Sequence, residues 1–233
     1  MSQVPKQASE ADIATITAQF VTAAQLGLQA GFDMIELHMA HGYLLASFLS
    51  PLTNQRTDRY GGSVENRARF PAEVIRAVRA IMPEGMPLSV RISASDWAQG
   101  GLSDDDLIAT ARALHEAGAD MLDVSTGQTV PWQKPVYGRM YQTPFSDFIR
   151  NTLNVPTIAV GNIYEPDHVN SIVASGRADL CAVARPHLAN PNWTLQAAAQ
   201  LQHAEQWWPQ QYLSGKSQLE RNLQRAALLA GAV

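Results

Sequence analysis

One junction, a helix end followed by Gly, Asp and a short apolar run, constrains this chain more than any other feature. Ala30-Gly31-Phe32-Asp33-Met34-Ile35-Glu36-Leu37 is echoed by Ala117-Gly118-Ala119-Asp120-Met121-Leu122-Asp123-Val124, and more loosely by Ser175-Gly176-Arg177-Ala178-Asp179-Leu180-Cys181-Ala182-Val183. Helices and strands alternating along one parallel sheet produce such an echo. Two further β-like runs, Leu88 to Ala94 and Pro156 to Gly161, bring the expected strand starts to residues 34, 88, 121, 156 and 180.

Helical spacing fills the intervals. Ser9 and Asp12 form a capping-box pattern ahead of Ile13, Ile16, Phe20, Ala24 and Leu28, and Gly31 ends that helix. Phe70, Val74, Val78 and Ile81 mark a second helix; Leu107, Ile108, Ala111 and Leu114 mark a third. Phe145, Phe148 and Ile149 suggest another, as do Val169, Ile172 and Val173 after Pro166. Gln218 to Leu229 reads as a last amphipathic helix.

Five such units fit either an open doubly wound sheet or part of an eight-stranded (β/α) barrel. Each expected strand carries a chemically useful group at or near its C-terminal end: His38, Arg91, Ser125, Asn162 and Arg185. Barrel enzymes build their sites from several strand ends, whereas open sheets concentrate ligand contacts at one switch point. The barrel is the expected architecture. At 233 residues, with 46% hydrophobic and 16% charged, the chain supports a single core and no linker divides it. The expected domain is therefore 1–233, with a helical extension from about residue 203.

Charge and cysteine content exclude several functions. The net charge of -4 gives no basic footprint for nucleic acid or an anionic membrane. A single cysteine, Cys181, forms neither an internal disulfide nor a thiolate metal cage. No run approaches the ~18 apolar residues of a membrane span, and the polar start is no signal peptide. A cytoplasmic location is the expectation.

The densest chemistry is His38-Met39-Ala40-His41-Gly42-Tyr43. Two imidazoles at a strand end can donate hydrogen bonds to a carbonyl oxygen, and a nearby phenol can deliver a proton to a carbanion. The bland alternative is that the histidines satisfy local backbone groups and Tyr43 packs in the rim. A zinc site would need a third ligand, and His115, His168, His187 and His203 show no ligand spacing; no metal is expected. Arg91 lies inside an apolar strand and must be paired, either with Glu36 or Asp123 or with an anionic, electron-rich cofactor. Gly161-Asn162 and Ala184-Arg185, with the glycine and the second arginine 24 residues apart, suit a phosphate site at the last two strand ends.

These clusters sit within longer motifs. His38-x-x-His41-Gly42-Tyr43-Leu44, Phe48-Leu49-Ser50-Pro51-Leu52-Thr53-Asn54, Arg56-Thr57-Asp58-Arg59-Tyr60-Gly61-Gly62-Ser63 and Glu65-Asn66-Arg67 resemble the old yellow enzyme family of flavin-dependent ene reductases. The likeness continues through Val90-Arg91-Ile92-Ser93 and Ala159-Val160-Gly161 to Ala184-Arg185-Pro186, covering about residues 10 to 200. Gly127 to Pro131 and Pro135 to Met140 resemble the reductase half of bifunctional enzymes such as salicylyl-CoA 5-hydroxylase and 2-aminobenzoyl-CoA monooxygenase/reductase.

The resemblance implies a (β/α)8 TIM-barrel domain with FMN as cofactor and NAD(P)H as reductant. The substrate would be an α,β-unsaturated carbonyl compound or an aromatic-derived CoA thioester. His38 and His41 match the pair that holds the carbonyl oxygen, and Tyr43 the proton donor. Arg91 matches the arginine beside the flavin, and Ala184 and Arg185 match a phosphate-holding Gly-Arg pair, with Gly161 and Asn162 beside them. The alanine is a departure. A larger one is that three family strands precede the one ending in His38, so about five of eight βα units are expected here. That implies a partner in the form of an N-terminal barrel segment, a monooxygenase domain or a second copy. The alternatives are a non-catalytic barrel fragment acting as a subdomain or assembly partner, and a His-ligated metal hydrolase.

Overall fold

A computed structural model describes residues 5–231. In chain order the elements are α1 (Glu10–Gln29), β1 (Ile35–Met39), α2 (Leu44–Leu49), α3 (Val64–Arg79), β2 (Leu88–Ser93), α4 (Asp104–Glu116) and β3 (Met121–Ser125). There follow α5 (Thr143–Leu153), β4 (Thr157–Val160), α6 (Pro166–Ala174), β5 (Leu180–Ala182), α7 (Arg185–Ala189), α8 (Trp193–Gln200) and α9 (Leu213–Ala230). The five strands form one sheet in the order β1-β2-β3-β4-β5, and every pair is parallel. An open doubly wound sheet reverses its strand order at a switch point. This one does not, so it is an incomplete (β/α)8 barrel with five strands, as the strand-end groups imply.

Side-chain alternation divides the sheet into two faces. Leu37, Met39, Leu88, Val90, Ile92, Leu122 and Val124 point toward the helices and are buried with Phe70, Val74, Val78, Leu107, Ala111 and Leu114 in one core. The opposite, concave face is polar where β1, β2 and β3 meet. Register places Glu36 beside Ser89, and His38 beside Arg91 beside Asp123.

The repeated Gly-Asp junction has a physical cause. Asp120, just before β3, accepts a hydrogen bond from the backbone N–H of Leu88 at 2.8 Å and so caps the start of the neighbouring strand. Arg79, in the last turn of α3, pairs with Asp120 and donates to the Gly118 carbonyl. Asp179, before β5, repeats the device: it accepts from Thr157 N–H at 2.9 Å and pairs with Arg150 of α5, which also donates to the Gly176 carbonyl. Asp179→Ala is expected to cost about 2 kcal/mol in urea unfolding, the range for hydrogen bonds to a charged group. Asp179→Asn, which keeps an acceptor, should recover part of it.

Most of the expected helices stand where their periodicity puts them. The Ser9–Asp12 capping box is formed, and Pro166 opens α6. Ile81 is a correction: α3 ends at Arg79, and Ile81 packs on the core from the turn beyond it. The helices α2, α7 and α8 give no periodic signal because they span only six, five and eight residues. The C-terminal helix α9 buries none of its residues. Among the described residues no helix is long and apolar enough to cross a membrane.

Candidate active site

The site starts where β1 ends. His41 and Gly42 take consecutive left-handed conformations, φ 61° and 70°, which swing the chain from the strand into α2, whose N-cap is Tyr43. Only glycine suits position 42, because a Cβ there would run into the Gln128 carbonyl of the β3–α5 loop. The turn gathers three rings. His38 lies 5.2 Å from His41 and 5.3 Å from Tyr43, centroid to centroid. Tyr43 is 64% exposed and so open to a ligand.

His41 is held in place from two directions. Its backbone N–H donates to Ser93 Oγ at 2.9 Å, and its Nε2 lies 2.8 Å from Ser125 Oγ. Ser93 and Ser125 are the last residues of β2 and β3. Burial, the Arg91 charge and the neighbouring His38 depress the His41 imidazole to about 4. Burial and Arg91 likewise lower His38. His41 is therefore a neutral ring at physiological pH.

Arg91 settles one alternative. Its partner is Asp123, with Nη1 3.4 Å from Oδ2, rather than Glu36, which accepts from Ser89 Oγ at 2.9 Å. The pair is loosely made. Arg91 Nε and Asp123 Oδ1 are both buried with no hydrogen-bond partner. Burial pushes the Asp123 carboxyl up to about 6, against the opposing pull of Arg91. The guanidinium is half-buried on the concave side beside His38 and can receive an electron-rich ligand edge on its exposed part.

The β4 and β5 ends form a cleft of about 520 Å³, lined by Gly161, Asn162, Tyr164, Ala184, Arg185 and Trp193 among others. Neither histidine of the β1 end lines it. At ~4.8 Å per strand, β2 and β5 are roughly 14 Å apart along the sheet. Two residues of its lining also make contacts of their own. The space beside Gly161 (φ 110°) is filled by Gln142, into which a Cβ would run, so the missing side chain accommodates Gln142. Asn162 donates to the Gly138 carbonyl at 2.7 Å and fastens the β3–α5 loop.

Gln142 is the residue that sequence reasoning missed. Fully buried, it donates to the Val160 carbonyl at 2.8 Å and accepts from Thr126 Oγ1 at 2.5 Å and Ser125 Oγ at 3.4 Å. It links the Ser125–His41 contact to β4, and no motif or spacing announces it. Among the described residues no three His, Cys, Asp or Glu side chains are grouped to hold a metal ion. His168 instead pairs with Glu165 at 3.3 Å, and His115 Nδ1 lies 2.7 Å from the Ala119 carbonyl.

A sequential parallel βα sheet with imidazoles, a phenol and arginines at its strand ends defines a barrel-type enzyme domain. The chain matches the model of the NADH:flavin oxidoreductase / NADH oxidase family over residues 1–204, and it belongs to that family. It is 46% identical over 200 residues to an NADPH dehydrogenase of Geobacillus sp. (strain WCH70), a match covering 86% of this chain and 58% of the relative. The chain thus spans less than two thirds of that relative's length. Among solved structures it resembles a 2-naphthoyl-CoA reductase in complex with 2-naphthoyl-CoA, with TM-score 0.77, 28% identity and coverage of 83% of this chain and 30% of the other. It also resembles morphinone reductase in complex with tetrahydroNAD, with TM-score 0.66, 32% identity and coverage of 84% and 53%.

Proposed function

We propose that this chain supplies the substrate-facing part of an FMN-dependent NAD(P)H oxidoreductase that reduces the activated C=C of α,β-unsaturated carbonyl compounds, aromatic-derived CoA thioesters included. The observation that carries this reading is the grouping of His41 and Tyr43 around His38, at 5.2 and 5.3 Å, with Arg91 abreast of His38 on the same face of the sheet. The residues present fit a cofactor with an electron-rich ring at one end and a phosphate at the other. Arg91 offers the ring its partly exposed guanidinium, and the cleft bearing Arg185 lies three strands away.

FMN, when bound, would supply hydride transfer from a nicotinamide to the β-carbon of the substrate. Everything else falls to the protein. Arg91 would face the anionic edge of the ring. Ala184, through its backbone N–H, and Arg185 would hold the phosphate with Gly161 and Asn162 nearby. His38 makes no side-chain hydrogen bond among the described residues, which leaves its ring free to donate to the substrate carbonyl oxygen. His41 donates from Nδ1 when the Ser125 hydroxyl directs its proton to Nε2, 2.8 Å away, rather than to Gln142 at 3.4 Å. Two neutral donors hold the negative charge that develops on the oxygen. The exposed Tyr43 hydroxyl then gives its proton to the α-carbon.

Tyr43→Phe in the flavin-loaded protein is the test. Enone reduction is expected to slow by about 10²-fold, the scale of general-acid catalysis, with flavin reduction by NAD(P)H nearly intact. Unchanged enone turnover removes Tyr43 from the role. A protein that takes up no FMN overturns the reading as a whole. That outcome would leave the non-catalytic barrel fragment, acting as a subdomain or assembly partner.

A further inference from the structure

Whether His41 can donate from Nδ1 depends on where its one ring proton sits. Burial and Arg91 keep the ring neutral, at about 4, so the hydrogen bond made by one nitrogen decides whether the other is a donor. Nε2 lies 2.8 Å from Ser125 Oγ, and Ser125 has a single hydroxyl proton to give. Its second candidate acceptor is Gln142 Oε1, at 3.4 Å. The Gln142 carboxamide is fixed in orientation. Its Nε2 donates at 2.8 Å to the Val160 carbonyl, which can only accept, so Oε1 must face Ser125 and Thr126. Gly161, lacking a Cβ, leaves the space in which the amide lies. Thr126 Oγ1 donates to Oε1 at 2.5 Å. Ser125, Thr126 and Gln142 are all buried, so bulk water does not stand in for a missing partner.

We infer that Thr126 is a positioning residue that sets the His41 tautomer through Gln142 and Ser125. Its hydroxyl satisfies Gln142 Oε1, which leaves the Ser125 proton for His41 Nε2 and keeps the His41 proton on Nδ1. The two distances agree with this division. A separation of 2.8 Å is ordinary for a hydroxyl donor, and 3.4 Å lies beyond its usual range. Gln142 Oε1 is nevertheless a competitor held in check. Without the Thr126 proton it becomes a buried acceptor with no donor, a costly state, and the Ser125 hydroxyl turns to it. Ser125 Oγ then offers His41 only lone pairs. The ring proton leaves Nδ1 and one is taken up at Nε2, by exchange with water, and Nδ1 becomes a bare acceptor. The effect on rate rests on the proposed function, in which His41 donates to the substrate oxygen; the tautomer belongs to the chain whether or not flavin binds.

The experiment is ¹H–¹⁵N correlation of the imidazole nitrogens in the full 233-residue chain, labelled with ¹⁵N-histidine, near neutral pH. Protonated and bare ring nitrogens have well-separated shifts, and the His41 signals are those lost in His41→Gln. Nδ1 is expected to carry the proton in the native chain and in Thr126→Ser, which keeps the hydroxyl. Thr126→Val should move the proton to Nε2. Thr126→Val with Gln142→Leu should return it to Nδ1, because the competing acceptor is gone and Ser125 again donates to His41. A purely structural role for Thr126 would make the double variant no better than the single one. In the flavin-loaded protein, Thr126→Val should lower kcat for enone reduction by about 10²-fold, the loss of one oxyanion donor, and the double variant should recover it. The inference is overturned if the native ring is protonated at Nε2, if Thr126→Val leaves the proton on Nδ1, or if the double variant does not restore it. A tautomer that follows the expected pattern while enone turnover stays unchanged upholds the inference and counts against His41 as the proposed donor.

Discussion

Arg91→Met is expected to cost about 3 kcal/mol of unfolding free energy near neutral pH, because it leaves the buried Asp123 carboxylate without a charge partner. Asp123 is 3% exposed, and Arg91 is the one cation that lowers its pKa. With the guanidinium gone, burial and Glu36 push the carboxyl above its present value of about 6. A carboxyl raised above its ordinary 3.8 holds its proton more tightly in the folded state. Its penalty is therefore full above the folded pKa and is relieved as pH falls through that value. The gap between Arg91→Met and the native protein should narrow as pH is lowered from neutral to about 5. His38 and His41 push the same way. Arg91 is the second cause of their depression, so its loss eases their protonation in the folded state. Urea unfolding at several pH values measures the gap, and Arg91→Met with Asp123→Leu should recover most of it, since an apolar pair carries no desolvation cost. A gap that does not vary with pH would assign the cost to lost packing.

The outline of the fold is legible because the Gly-Asp junction is a piece of physics repeated, not a statistical tendency. A left-handed glycine follows the helix, and at Asp120 and Asp179 a carboxylate caps the start of the preceding strand. Expected strand starts at 34, 88, 121, 156 and 180 therefore fall within one residue of the observed 35, 88, 121, 157 and 180. Helices of five to eight residues complete too few turns for periodicity to reveal them. At the site, the ring cluster is legible because it is local: His38, His41 and Tyr43 share one strand end and one turn. The partner of Arg91 is not, since Glu36 and Asp123 both carry a carboxylate on the concave face. Register decides it, placing Asp123 directly opposite Arg91 and Ser89 opposite Glu36. Gln142 is invisible for the opposite reason. A glutamine in a loop becomes structural only when the lack of a Cβ at Gly161 makes room for it across 19 residues of sequence.

In the flavin-loaded protein, His38→Ala and His41→Ala are each expected to lower enone turnover by about 10²-fold or more, the cost of removing one donor to a developing oxyanion. Flavin reduction by NAD(P)H should change little. The two variants should differ in a second respect. The His38 ring makes no side-chain hydrogen bond among the described residues, whereas the His41 ring is anchored to Ser125 at 2.8 Å. His41→Ala should therefore also loosen the turn that carries Tyr43, and His41→Gln, which keeps a donor, should restore part of the rate. The pH profile separates neutral from cationic donors. With His41 depressed to about 4 and His38 also lowered, both stay neutral above the ordinary imidazole value of 6.5. Oxyanion stabilisation by His41 should thus be level from about pH 5.5 upward until another group titrates. A rate that climbs on acidification through 6.5, and loses that climb in His41→Ala, would mean that an imidazolium does the work. The burial that holds the ring neutral would then be absent from the working site.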